Sequence, residues 1–193
     1  MKLEDPEGAT PLDLDETKGL IPTHITTMEQ LNEWEQANIL DAEEWAFSAR
    51  KRDPFTEQYV RDLHRHMFNS TWAWAGKYRL SDKNIGVPWT MIPQAVRDVC
   101  DDAKAWIEFD SHAEVEIAVR LHLRMVQVHP FPNGNGRHAR LLADVVIERL
   151  GKPRLTWGNA DLQSSGNARI TYLNALRAAD GGVIRPLLDF AAS

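Results

Sequence analysis

The stretch VHPFPNGNGRHAR, Val128 to Arg140, sets two prolines, two Asn-Gly pairs and two arginines between two segments of helical periodicity. Upstream, Ala118, Leu121, Met125 and Val128 recur at spacings of three and four, the pattern of one apolar helix face. Downstream, Leu141, Leu142, Val145 and Leu150 repeat that pattern, with Gly151 as a stop and Pro153 beyond it. Pro130 disfavours helical geometry at His129, and the glycines open left-handed geometry to the backbone. The chain must leave one helix, turn within a few residues and enter another. That requirement points to a mostly α fold in a single domain.

Helical signals dominate the rest. Thr27 and Gln30 read as a capping box for a helix with Leu31, Trp34, Asn38 and Trp45 near one face. Asp53-Pro54 reads as the cap and first turn of a second helix, with Tyr59, Leu63 and Met67 following at spacing four. Pro93 opens a third, carrying Val96, Val99, Cys100, Ala103 and Ile107, and Ser111 with Glu114 forms a capping signal ahead of Ala118. Two short helices fit residues 167–179 and 186–192. One stretch departs from this, WAGKYRLSDKNIGVPWTMIP. Its Gly76, Asn84, Gly86, Pro88 and Pro93 punctuate short alternating apolar residues, which predicts a small β-hairpin flap on a helical bundle. Residues 1–22, rich in Pro, Gly and Asp, read as an extended arm ahead of one domain over 23–193.

The interruption itself carries chemistry. His129 closes a helix and projects beyond it, and an imidazole titrates near physiological pH, so it can take a proton from a hydroxyl. Phe131 is the large apolar side chain that anchors the loop. Gly134, Asn135 and Gly136 bring successive backbone N–H groups to a helix N-terminus, a ready anion site. Arg137 and Arg140 stand in the first turns of that helix, where cations oppose the macrodipole and are unfavourable unless an anion lies there. Two guanidinium forks beside a backbone anion hole fit a polyphosphate. A plain turn needs neither the histidine nor the arginines.

HPFPNGNGRHAR resembles the signature of the Fic family, His-Pro-Phe-x-(Asp or Glu)-Gly-Asn-Gly-Arg-x-x-Arg, at every defined position except Asn133. WAGKYR and NIGVPW resemble the approach to that family's flap, and NARITYLNALRAADGG with RPLLDF resembles its closing helices. The chain as a whole resembles the subgroup called mobile mystery protein B. The resemblance implies a Fic fold and transfer of AMP from ATP to a Ser, Thr or Tyr hydroxyl of a target protein. It implies His129 as general base, Gly134, Asn135 and Gly136 as a phosphate cradle, Arg137 on the terminal phosphates and Arg140 assisting. Asn84, Ile85, Gly86 and Val87 would align the target segment by strand pairing. Asn133 stands at the acidic magnesium-ligand position and supplies an oxygen without charge, so metal affinity falls. Three outcomes stay open: slow magnesium-dependent AMP transfer, metal-independent chemistry or transfer of a different nucleotide-derived group, or a nucleotide-binding and interaction module without turnover. The family's inhibitory motif places Ser or Thr four residues before a glutamate, and no glutamate in this chain has one there. The subgroup implies a separate helix-turn-helix companion, as in a toxin–antitoxin pair.

Composition narrows the alternatives. A formal net charge of -6 argues against general nucleic-acid or membrane-surface binding. The N-terminus lacks the basic start and apolar run of a signal peptide, and no apolar run has the length of a membrane span, so a cytoplasmic location is expected. Cys100 is the single cysteine and, among Val96, Val99 and Ala103, reads as a packed thiol. His64 and His66, two apart, point to different sides of a helix and make a poor zinc pair. Trp72, Trp74 and Trp89 read as packing around the flap. Tyr172 suits either a nucleotide base or the core.

Overall fold

The computed structural model describes residues 13–48, 52–159, 162 and 166–193. It is built from helices: α1 Leu14–Thr17, α2 Met28–Ser48, α3 Glu57–Phe68, α4 Ile92–Glu108, α5 Glu114–Val128, α6 Asn135–Arg149, α7 Asn167–Asp180 and α8 Arg185–Ala191. The one β-bridge among the described residues joins Leu20 to Trp72. The expected mostly α fold is the observed one.

Local sequence explains most boundaries. At the start of α2 the Gln30 N–H donates to Thr27 Oγ1 at 3.2 Å and the Thr27 N–H donates to Gln30 Oε1 at 3.2 Å, a complete capping box. α3 begins later than Asp53-Pro54 suggests. Asp53 Oδ1 accepts the Phe55 N–H and makes a turn, and Thr56 is the cap, accepting from the Tyr59 N–H at 3.1 Å. Ser111 does not cap α5. Its N–H donates to the Trp106 carbonyl and closes α4, leaving Ala113 as N-cap. Trp34, placed by periodicity on the inner face of α2, is 40% exposed, and the buried stripe runs through Leu31, Glu35, Asn38, Ala42 and Ala46.

The helices α5 and α6 form a hairpin shared by two apolar cores. One core gathers α2, α3 and α4 against them through Val60, Leu63, Met67, Val96, Met125 and Leu142. The other packs α7 and α8 through Val119, Ile147, Trp157, Leu176, Leu187 and Phe190. Cys100 lies in the first core, where burial pushes its thiol up to about 12. The loop 129–134, at the turn of the hairpin, therefore stands on both.

The expected β-hairpin is absent. Residues 77–88 contain no strand, and the carbonyls of Ser81 and Val87 bond inward instead of across a ladder. Arg79 donates to the carbonyls of Ser81 and Val87, while the Val87 and Arg79 N–H groups donate to Val128 and Pro130 of the hairpin loop. Residues 1–12 of the N-terminal arm lie outside the described residues. From Asp13 onward the chain docks on this segment, with Lys83 between Asp13 at 2.9 Å and Glu16 at 2.6 Å.

Four histidines lie inside: His64, His122, His129 and His138. Burial holds His122 near 3 and His129 and His138 near 4, and lowers His64 well below 6.5. A depressed folded pKa means stability that is whole above 6.5 and is lost as pH falls toward the folded value. Asp144 works the other way: burial raises it to about 6, so it relieves strain as it protonates. One carboxyl offsets one of four imidazoles. The urea midpoint should therefore fall steadily between about pH 7 and about pH 5, and a flat or rising midpoint would contradict this burial pattern.

Candidate functional site

The loop is fixed before it can act. Phe131 is fully buried and stacks on the His64 ring at 3.7 Å. The Asn135 side chain pins its backbone from both sides, accepting the Phe131 N–H at 2.9 Å and donating to the Phe131 carbonyl at 2.8 Å. His64 accepts the Gly76 N–H on Nδ1, so its proton is on Nε2, which donates to the Asn133 carbonyl at 3.0 Å. His64 and His66 thus have structural neighbours, His66 lying flat on Trp45 at 4.0 Å.

His129 ends α5 in left-handed geometry, φ 52°, with its N–H donating to Met125. Burial first, then the Arg79 guanidinium and Lys83, push its imidazole down to about 4, against a Val126 carbonyl hydrogen bond that favours the charged form. The ring is neutral at physiological pH and able to accept a proton.

At the head of α6 no side chain caps the first turn, so the N–H groups of Asn135, Gly136 and Arg137 are helix-terminal donors without an intrahelical acceptor. The two glycines differ in kind. Gly134 has φ +77° and a methyl there would sit 2.5 Å from Phe68 Cζ, so the fold itself demands glycine. Gly136 has ordinary helical geometry, and a methyl would meet nothing closer than Arg140 Nη1 at 3.7 Å. Folding alone would tolerate alanine at Gly136. What glycine adds there is open space beside three backbone donors, the room an anion needs to approach.

The two arginines reach different elements. Arg137 is not a free cation: Nη1 lies 2.5 Å from Glu35 Oε2 on α2, and its guanidinium covers the Phe68 ring at 4.9 Å. Glu35 also accepts from Trp72 Nε1 at 2.6 Å and is 4% exposed, so the pair is built into the core. Arg140 makes no ion pair among the described residues. It lies over the Tyr172 ring at 5.4 Å, and the Tyr172 hydroxyl sits 2.9 Å from His122 Nε2. Tyr172 is a buried core residue with its hydroxyl turned toward Arg140 and Gly136. Asn84, Ile85 and Gly86 are exposed, whereas the Val87 backbone is bonded on both its N–H and its carbonyl. Glu35 and Arg79 escaped the sequence reading. Glu35 had one signal, an acid four residues after Leu31 on the inward-facing stripe.

Asn133 offers a poor metal ligand. Its amide oxygen is neutral and accepts the Gly134 N–H at 2.6 Å, and no group of three His, Cys, Asp or Glu gathers among the described residues. The residues present do not build a protein-held magnesium site.

Residues 54–147 match the Fic/DOC family. The chain is 27% identical over 148 residues to the protein adenylyltransferase fic-1 of Caenorhabditis elegans, covering 75% of this chain and 28% of that protein. It is 35% identical over 69 residues to a uridine 5'-monophosphate transferase of Xanthomonas campestris, covering 32% of this chain and 13% of that one. It spans less than a third of the length of these two relatives. Among solved structures, the N-terminal Fic domain of a Bartonella quintana effector protein with bound ADP superposes with a TM-score of 0.60 at 20% identity, covering 88% of this chain and 86% of that one.

The two glycines give a direct contrast. Gly134→Ala should lower stability by about 1–3 kcal/mol through left-handed strain, beyond its clash with Phe68. Gly136→Ala should leave the melting temperature unchanged or slightly raised, since a helical alanine is favoured over glycine. Thermal melts of the two variants check this, and equal losses would overturn the distinction.

Proposed function

We propose that the chain is a protein adenylyltransferase moving AMP from ATP to a Ser, Thr or Tyr hydroxyl, a reading supported by the match of residues 54–147 to the Fic/DOC family. The observation that carries this reading is the open first turn of α6 at Gly136, together with Arg140, which makes no ion pair among the described residues, and a neutral His129 at the end of α5. The triphosphate lies along the N–H groups of Asn135, Gly136 and Arg137, where the helix dipole favours negative charge. Arg140 neutralises charge as it develops, held by Tyr172, whose hydroxyl is in turn bonded to His122. Arg137, tethered by Glu35, presents its remaining N–H groups in a fixed direction.

The target hydroxyl oxygen forms a bond to the α-phosphorus while His129 takes its proton. The bond from that phosphorus to the bridging oxygen breaks, and pyrophosphate leaves with the electron pair. The target segment runs along the exposed residues Asn84 to Gly86. Magnesium accompanies the nucleotide as its counter-ion and is not resident in the protein. The fic-1 relative's name supports AMP as the transferred group, and the Xanthomonas relative's name keeps UMP as the second donor. The finer likeness to mobile mystery protein B, with a cytoplasmic location and a separate helix-turn-helix antitoxin, is part of the same proposal. It is supported by the lack of a built-in Ser/Thr-x-x-x-Glu inhibitor in this sequence.

The test is label transfer from α-labelled ATP to protein, including the chain itself. Wild type labels protein, and His129→Ala loses about 100-fold or more. Asn133→Asp, by supplying a carboxylate, raises transfer and makes it steeply magnesium-dependent. Nucleotide binding without transfer, at any magnesium concentration, would leave a binding module instead.

A further inference from the structure

His129 needs a partner to hold its backbone in left-handed geometry, a conformation disfavoured for any residue with a side chain. That partner is Arg79. Its side chain is fully buried, and its closest carboxylate, Asp82, stands 3.7 Å away and is 68% exposed. Its strong bonds go to carbonyls: Nε donates to His129 at 2.7 Å, Nη1 to Ser81 at 2.8 Å and Nη2 to Val87. A buried charge is tolerated only when fully hydrogen-bonded, so these three contacts must form together. One belongs to the residue whose imidazole takes the proton, and the others span the segment that carries the target. Gly86 lies between them. A methyl there would come within 2.7 Å of Arg79 Nη2 and 2.8 Å of His129 Cβ, and its φ is +102°.

We propose that Arg79 is the positioning residue of His129, fixing its backbone twist and yoking it to the target-docking segment Asn84–Val87. The imidazole is then aligned only while that segment is seated. This rests on His129 being the base, as argued above. A lysine cannot replace the fork, because one ammonium cannot reach carbonyls on separate parts of the chain in fixed directions. The charges facing His129 are Arg79 and Lys83, and Lys83 is itself balanced by Asp13 and Glu16. From α5 the ring meets the Val126 carbonyl.

The experiment compares Arg79→Lys, Arg79→Gln and Gly86→Ala with wild type. Gly86→Ala leaves Arg79 in place and drives a methyl between it and His129, so it keeps the test alive if an Arg79 variant fails to fold. ATP affinity by calorimetry, self-labelling from α-labelled ATP and the His129 titration by NMR are measured on each folded variant. ATP affinity should stay within about threefold of wild type, since the first turn of α6 is untouched. Labelling should fall about 100-fold in all three, the scale expected of a misplaced reacting group. Arg79→Gln should raise the His129 pKa by removing a nearby cation, while Arg79→Lys keeps the titration nearer wild type without restoring labelling. That split separates positioning from charge and from general packing. Full labelling in folded Arg79→Lys or Gly86→Ala would overturn the proposal, as would ATP affinity falling in step with rate. If wild type transfers no label at all, the functional reading fails by itself. The NMR arm then decides on Arg79, and an unmoved His129 titration in Arg79→Gln ends it.

Discussion

The reciprocal hydrogen bonds between the Asn135 amide and the Phe131 backbone are the constraint on which the rest of the site depends. They close the turn between α5 and α6 on itself, with Phe131 as the buried plug and His64 stacked behind it. Once that turn is closed, His129 must leave α5 with a left-handed twist, and α6 must begin at Asn135 with its first donors unpaired. A buried imidazole and a helix N-terminus with unpaired donors are thereby fixed at the two ends of one closed turn by packing.

Charge around the turn is divided rather than pooled. Arg137 is balanced by the buried Glu35, which removes most of the repulsion that two guanidiniums at a helix N-terminus would create. Arg140 lies over the Tyr172 phenol, itself bonded to His122, a neutral partner that orients it without cancelling its charge. The site keeps one cation directed at the open space near Gly136 and a second held stiffly at its flank. Such an arrangement favours orientation over sheer attraction, consistent with a chain of net charge -6 overall.

What could be read in advance was what is local. Thr27 and Gln30 form their capping box because both halves lie within one turn and nothing else competes for them. Ser111 has the same spacing to Glu114, yet its N–H closes the preceding helix, an outcome set by Trp106 and invisible to a four-residue pattern. The hairpin expected within residues 74–93 failed for a similar reason. Alternation and glycines suggested strand pairing, but a buried guanidinium captured the carbonyls that a ladder would have used. The loop chemistry was legible because histidine, glycines and arginines are contiguous in sequence. Glu35 and Arg79 act from 94 and 50 residues away from His129, and only the packed helices bring them near the turn.

The α5–α6 hairpin is a wall of both cores, so neither core can open without uncovering part of the other. Melting should accordingly proceed as one event, with the turn at the hairpin's tip coupled to every helix in the bundle. A small anion lodged there would act as a keystone. Its occupancy would be felt in the heat resistance of the entire molecule, at distances far beyond the atoms it touches.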